Sequence, residues 1–110
     1  MDDILEAINK IERYVAGLTY EQFLEDDKTK DATARNLEII GEATKNIPDE
    51  IKANYPAIEW KRIAGMRDIL AHDYFGLRWE RVWDVVENKL PELRSTVATM
   101  LEQEKPADEQ

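Results

Sequence analysis

The sequence predicts an all-α protein, an up-and-down antiparallel bundle of four to five helices. Three observations lead there. Apolar residues recur at three- and four-residue spacing along almost the whole chain, the period of a helix with one buried face. No segment alternates apolar and polar residues as a half-buried strand does, and no internal repeat is visible. The four glycines are scattered, so no phosphate-cradling loop is formed.

The elements follow in order. Asp2 or Asp3 caps a first helix with Ile4, Ile8, Ile11, Val15 and Leu18 on one face, and Gly17 ends it. Thr19-x-x-Gln22 has the spacing of a capping box, in which each side chain satisfies the other residue's backbone N–H. It opens a short turn of helix that buries Tyr20, Phe23 and Leu24. Asp26-Asp27 starts a second long helix running to about Asn46 and stopping before Pro48. Its inward residues are Leu37, Ile40 and Ile47, extended by Thr33 and flanked by Asn36 and Gly41. A glycine at that position lets two helices approach closely. Pro48-Asp49-Glu50 suits the first turn of a short element ending near Tyr55-Pro56.

Trp60 to about His72 forms the next helix, with Trp60, Ile63, Met66, Ile69 and Leu70 expected inward and residues 73–77 as its exit turn. A last long helix begins at Arg78 and carries Trp79, Val82, Val86, Leu90, Leu93, Val97 and Leu101. Pro91 has no N–H to donate, so it should bend or split that helix. Trp60, Trp79 and Trp83 read as core or dimer contacts. One domain covers residues 1–101, and residues 102–110 form a polar, proline-containing tail expected to fray.

Composition narrows the function. A chain of 110 residues, 43% hydrophobic, has the material for one core. It has no cysteine, so thiolate catalysis, disulfides and cysteine-ligated zinc are excluded. No run approaches the ~20 apolar residues of a membrane span. The acidic start Met1-Asp2-Asp3 also lacks the basic character of a signal peptide, so a soluble, cytoplasmic protein is expected. The net charge of −9 argues against a nucleic-acid binder, but it is unevenly spread. Residues 1–27 carry 2 basic and 8 acidic groups, whereas residues 51–81 carry 6 basic and 4 acidic.

That positive window contains the stretch Arg67-Asp68-Ile69-Leu70-Ala71-His72-Asp73-Tyr74, with the only histidine of the chain. At ~100° per residue, Arg67 and Tyr74 share a helical face, while Arg67 and His72 stand about 140° apart. The tips of Arg67 and His72 meet only through a long arginine reach, a loosened last turn, or a second copy of the helix. Histidine titrates near neutral pH and suits proton transfer. Arginine's planar fork suits a phosphoryl transition state. The same residues also have ordinary uses: a histidine ending a helix caps its carbonyls, and adjacent Arg67 and Asp68 form a solvated ion pair.

Arg67-x4-His72-x-Tyr74 resembles the signature of the HEPN superfamily, and the chain is similar to HepT-type toxins from Asp2 to about Leu101. The resemblance extends to Ile4-Leu5-Glu6-Ala7-Ile8, to Arg35-Asn36-Leu37-Glu38-Ile39-Ile40-Gly41-Glu42-Ala43, and to Trp60-x-x-Ile63-Ala64-Gly65-Met66-Arg67. It implies a two-fold homodimer acting as a metal-independent endoribonuclease, with Arg67 and His72 of two protomers lining a cleft. It also implies the toxin role in a type VII toxin–antitoxin system. There the partner, a minimal nucleotidyltransferase of the MntA kind, transfers AMP to Tyr74. By the same resemblance Asp68, Arg35 and Asn36 support the cleft, Arg35 and Asn36 holding Asp68 or a substrate phosphate. A surface arginine and a buried structural amide are the plainer readings of those two. No cofactor and no metal are expected. The alternative function is a non-catalytic HEPN module that binds a nucleotide or a partner.

Overall fold

The computed structural model describes residues 2–72 and 78–103, with the side chains of Ala71 and His72 left out. The expected exit turn at 73–77, Tyr74 within it, and residues 104–110 of the expected tail lie outside the described residues. The elements are α1 (Asp2–Val15), α2 (Tyr20–Leu24), α3 (Asp27–Lys45), α4 (Asp49–Lys52), α5 (Trp60–His72) and α6 (Trp79–Asp84). A π-helical turn (Val85–Lys89) then joins α6 to α7 (Leu90–Gln103). No strand occurs among the described residues, and no described helix is long and apolar enough to cross a membrane.

Local chemistry accounts for the boundaries. Gly17 adopts φ +77° beyond the end of α1, a conformation that costs glycine no Cβ clash. The capping box forms as expected: Thr19 Oγ1 accepts from Gln22 N–H at 3.2 Å, and Gln22 Oε1 accepts from Thr19 N–H at 2.9 Å. Asp26 caps α3 by accepting from Thr29 N–H at 3.0 Å. That bond and a second from the Thr29 hydroxyl hold the Asp26 carboxyl below its ordinary range.

α3 is the centre of the molecule, with α1 packed on one side and α5 on the other, while α7 closes against α1. The bundle measures 48 × 27 × 20 Å, so its thin direction is about two helices deep. Ile4, Ile8 and Ile11 of α1 meet Leu37 and Ile40 of α3 and Leu90, Leu93, Val97 and Met100 of the last helix in one core. On the rim, Arg94 of α7 donates to Asn9 at 2.6 Å and pairs with Glu12, tying α7 to α1. Phe23 of α2 is fully buried, its ring centroid 5.0 Å from Trp83 and 5.9 Å from Trp79. Trp60 is buried and donates its indole N–H to the Tyr55 carbonyl at 3.1 Å.

Three expectations need correction. Ile69 does not turn inward; it is 46% exposed, while Leu70 is buried. Neighbouring residues stand ~100° apart on a helix, so one narrow stripe has room for only one of them. In the final turn the buried residue is Met100 and Leu101 is half-buried. Met100 is seven residues past Leu93 and returns to within ~20° of it, whereas Leu101 drifts by ~80°. At the start, α1 ends at Val15, and Leu18 lies beyond it, half-buried. The bend or split at Pro91 takes the form of the π turn immediately before it, where Leu90 N–H donates to Val85 C=O. Pro91 follows as the second residue of α7, so its missing donor falls where the helical register changes.

Candidate active site

Arg67 lies midway along α5, where α5 crosses α3 at its closest. A Cβ built on Gly41 would run into Arg67 Cβ and come within 3.1 Å of the Ile63 carbonyl oxygen. Glycine at 41 therefore seats the Arg67 backbone directly on α3, as its place in the sequence leads one to expect.

The Arg67 guanidinium is about three-quarters shielded and sits between two carboxylates. Its Nε is 2.7 Å from Glu42 Oε2, but the N–H is not aimed at that oxygen and makes no hydrogen bond. One terminal nitrogen is 3.5 Å from Asp68 Oδ1. The same Oδ1 accepts from Lys45 Nζ at 2.5 Å. The Lys45 hydrogen bond, assisted by the charges of Lys45 and Arg67, holds the Asp68 carboxyl below the ordinary carboxylate range, against a smaller opposing effect of lost hydration. A closed ring of charge results, running from Glu42 through Arg67 and Asp68 to Lys45 and back into α3.

Beside Arg67 opens a groove of about 300 Å³. Its polar lining is Arg35, Glu38 and Glu42 of α3, Asn46 just past the end of α3, Asp3 of α1 and Arg67 of α5. Ile39 and Ala43 are its apolar lining. Arg35 is exposed and reaches Glu38 at 3.7 Å. Asn36 is buried and donates its amide to the Ala32 carbonyl of its own helix at 2.9 Å.

Of the six residues singled out from sequence, Arg67 and Asp68 are in contact, and Arg35 shares the groove with Arg67. Asn36 is outside that lining, satisfied inside α3, and the contacts of Asp68 go to Lys45 and Arg67. His72 is the last residue of α5, five residues and ~7.5 Å of helical rise beyond Arg67. Tyr74 lies outside the described residues. Two residues of the site went unnoticed in the sequence, Glu42 and Lys45. Their signal is the spacing of Arg35, Glu38, Glu42 and Lys45, which puts a charged stripe on one face of α3.

The whole of this scaffold is shared with known proteins. The chain matches the family described as "Ribonuclease HepT-like" over residues 4–100. It is 46% identical over 94 residues to "Probable ribonuclease HepT" of Thermococcus cleftensis, covering 86% of each chain. It is 39% identical over 105 residues to "Putative RNase TTE0752" of Caldanaerobacter subterraneus subsp. tengcongensis, covering 96% of this chain and 94% of that one. A third relative, "Putative RNase MJ0127" of Methanocaldococcus jannaschii, is 46% identical over 89 residues, 81% of this chain and 74% of its own. No solved structure matches significantly. A HEPN-like helical bundle carrying the arginine and histidine of the motif on one helix, matched almost end to end by these relatives, belongs to the HepT-like ribonuclease family.

Proposed function

We propose that the protein is a metal-independent endoribonuclease, the toxin of a type VII toxin–antitoxin pair. One observation carries the reading: the only histidine of the chain ends the same helix whose Arg67 is pinned on α3 beside an open groove. In the reaction, the ribose 2′-oxygen bonds to the neighbouring phosphorus and the P–O5′ bond breaks, leaving a 2′,3′-cyclic phosphate and a 5′-hydroxyl. His72 takes the 2′-hydroxyl proton or returns one to the departing 5′-oxygen. Arg67 stabilises charge on the equatorial phosphoryl oxygens. Asp68 steadies Arg67, Arg35 receives an adjacent phosphate, and Asn36 maintains the α3 wall.

One histidine supplies either the base or the acid, so the complete site needs two protomers. Support comes from the outer face of α5, where Ile69 is exposed and a Cβ on Gly65 would meet only open space. A second copy laid along that face would cover the isoleucine and bring two motifs together. Tyr74 is then the residue that a minimal nucleotidyltransferase antitoxin modifies. An AMP there adds a negative charge beside Arg67 and competes with the RNA phosphate.

The net charge of −9, with Asp3, Glu38 and Glu42 around Arg67, favours the second reading of a non-catalytic nucleotide- or partner-binding module. RNA incubated with the protein in EDTA separates the two. The nuclease reading expects cyclic-phosphate ends, and folded Arg67→Ala and His72→Ala proteins slowed by ~10²–10⁴. Cleavage that survives both substitutions would overturn it. Co-expression with the antitoxin should add one AMP mass to the wild type and none to Tyr74→Phe.

A further inference from the structure

The groove beside Arg67 does not have the character of a phosphate track. Its rim sets three carboxylates against two guanidiniums. A strand running its whole length would meet more carboxylates than guanidiniums, so phosphate is favoured only at Arg67 and Arg35 themselves. Its volume of about 300 Å³ is at the lower end of small-molecule clefts, room for one nucleoside. Its apolar lining, Ile39 and Ala43, offers surface for a ring to pack on.

The rim polarity is also specific. Glu38 is paired with Arg35 at 3.7 Å and Glu42 with Arg67 at 2.7 Å, and an ionised carboxylate is an acceptor only. Asn46 adds an amide, with donor and acceptor, at the end of the same rim.

We infer that this groove is a nucleobase subsite, seating the base next to the phosphate held by Arg67, and that it selects guanine. Among the bases, guanine alone presents two adjacent N–H donors, N1–H and N2–H, which match the two oxygens of one carboxylate. Its O6 stands beside them to accept from the Asn46 amide. Uracil sets its single N–H between two carbonyl oxygens, which a carboxylate repels. Adenine and cytosine each place a ring-nitrogen acceptor next to their amino donor. The subsite rests on the ribonuclease reading for the phosphate at Arg67, but base binding in the groove does not depend on cleavage.

Two measurements keep the ideas apart. In methyl NMR of the wild-type protein, guanosine 3′-monophosphate should move the Ile39 and Ala43 methyl signals. It should bind at least about tenfold more tightly than the uridine nucleotide, the discrimination that a bidentate base contact supports. Inosine 3′-monophosphate, lacking the N2 amine, should fall between them, and Glu38→Gln or Glu42→Gln should erase the guanine preference. Inorganic phosphate reproducing the shifts, or equal binding of the uridine nucleotide, would overturn the subsite. Mapping cuts in an RNA with a single guanosine is the second measurement. Guanosine binding without any cleavage retains the subsite and defeats the ribonuclease reading. Arg67-dependent cleavage indifferent to guanosine, with no methyl shifts, does the reverse.

Discussion

Asp68 takes its strongest partner, Lys45, from 23 residues earlier in the chain. Both side chains are substantially exposed, so the pair contributes little to global stability and matters for where it leaves Arg67. The Asp68 carboxyl is depressed in the folded protein, mainly by the Lys45 hydrogen bond. A depressed carboxyl contributes stability above its unfolded value of ~3.9, and the contribution is lost as pH falls through the folded value. Lys45→Ala should therefore raise the Asp68 titration midpoint toward the ordinary range, read by carboxyl carbon NMR, and narrow that acid window. An unchanged midpoint would mean that Arg67 alone sets it. At this scale the sequence singled out Arg67 and His72 as candidates but not the residues that surround Arg67. Glu42 and Lys45 become site residues only because α3 crosses α5 beside them, and spacing within one helix says nothing about what lies across from it.

The helices themselves follow from short-range rules. Thr19 with Gln22, Asp26 with Thr29, and Gly17 each satisfy or release backbone groups within a few residues, so their outcome could be read before any tertiary contact was known. Gly41 belongs to two helices at once. Gly41→Ala would gain ~1 kcal/mol of helix propensity but drive a Cβ into Arg67 Cβ and the Ile63 carbonyl. Backbone-attached atoms cannot swing away, so overpacking of ~1–3 kcal/mol should win. The expected result is a net loss of up to about 2 kcal/mol in urea denaturation with a larger loss of RNA cleavage, because Arg67 moves with α5. Full stability and activity in this variant would refute the close crossing. The π turn at Val85–Lys89 was foreshadowed only as a disturbance at Pro91. A proline removes one donor, but whether the helix kinks, breaks or absorbs an extra residue depends on the phase of Val82 and Val86 relative to Leu90 and Leu93 in the core.

For the whole molecule, the bundle leaves one large apolar residue of the motif helix uncovered among the described residues. Ile69 is 46% exposed on α5, next to the open space at Gly65. If two copies meet there, Ile69→Glu should yield a 12.8 kDa monomer by light scattering at micromolar concentration, with unchanged helix content and no RNA cleavage. A variant still dimeric and active would place the interface elsewhere. The sequence by itself determined the helical class, the boundaries of α3 and α5 to within a residue or two, and the family, since these depend on periodicity, caps and a local motif carried on one helix. Tertiary structure alone decided which of Ile69 and Leu70 is buried and which carboxylates surround Arg67. It also decided that Arg35 shares a groove with Arg67 while Asn36 does not. A helical period specifies the direction of each side chain about its own axis. What it meets there depends on the rotation and crossing of a second helix, which packing of the whole core selects.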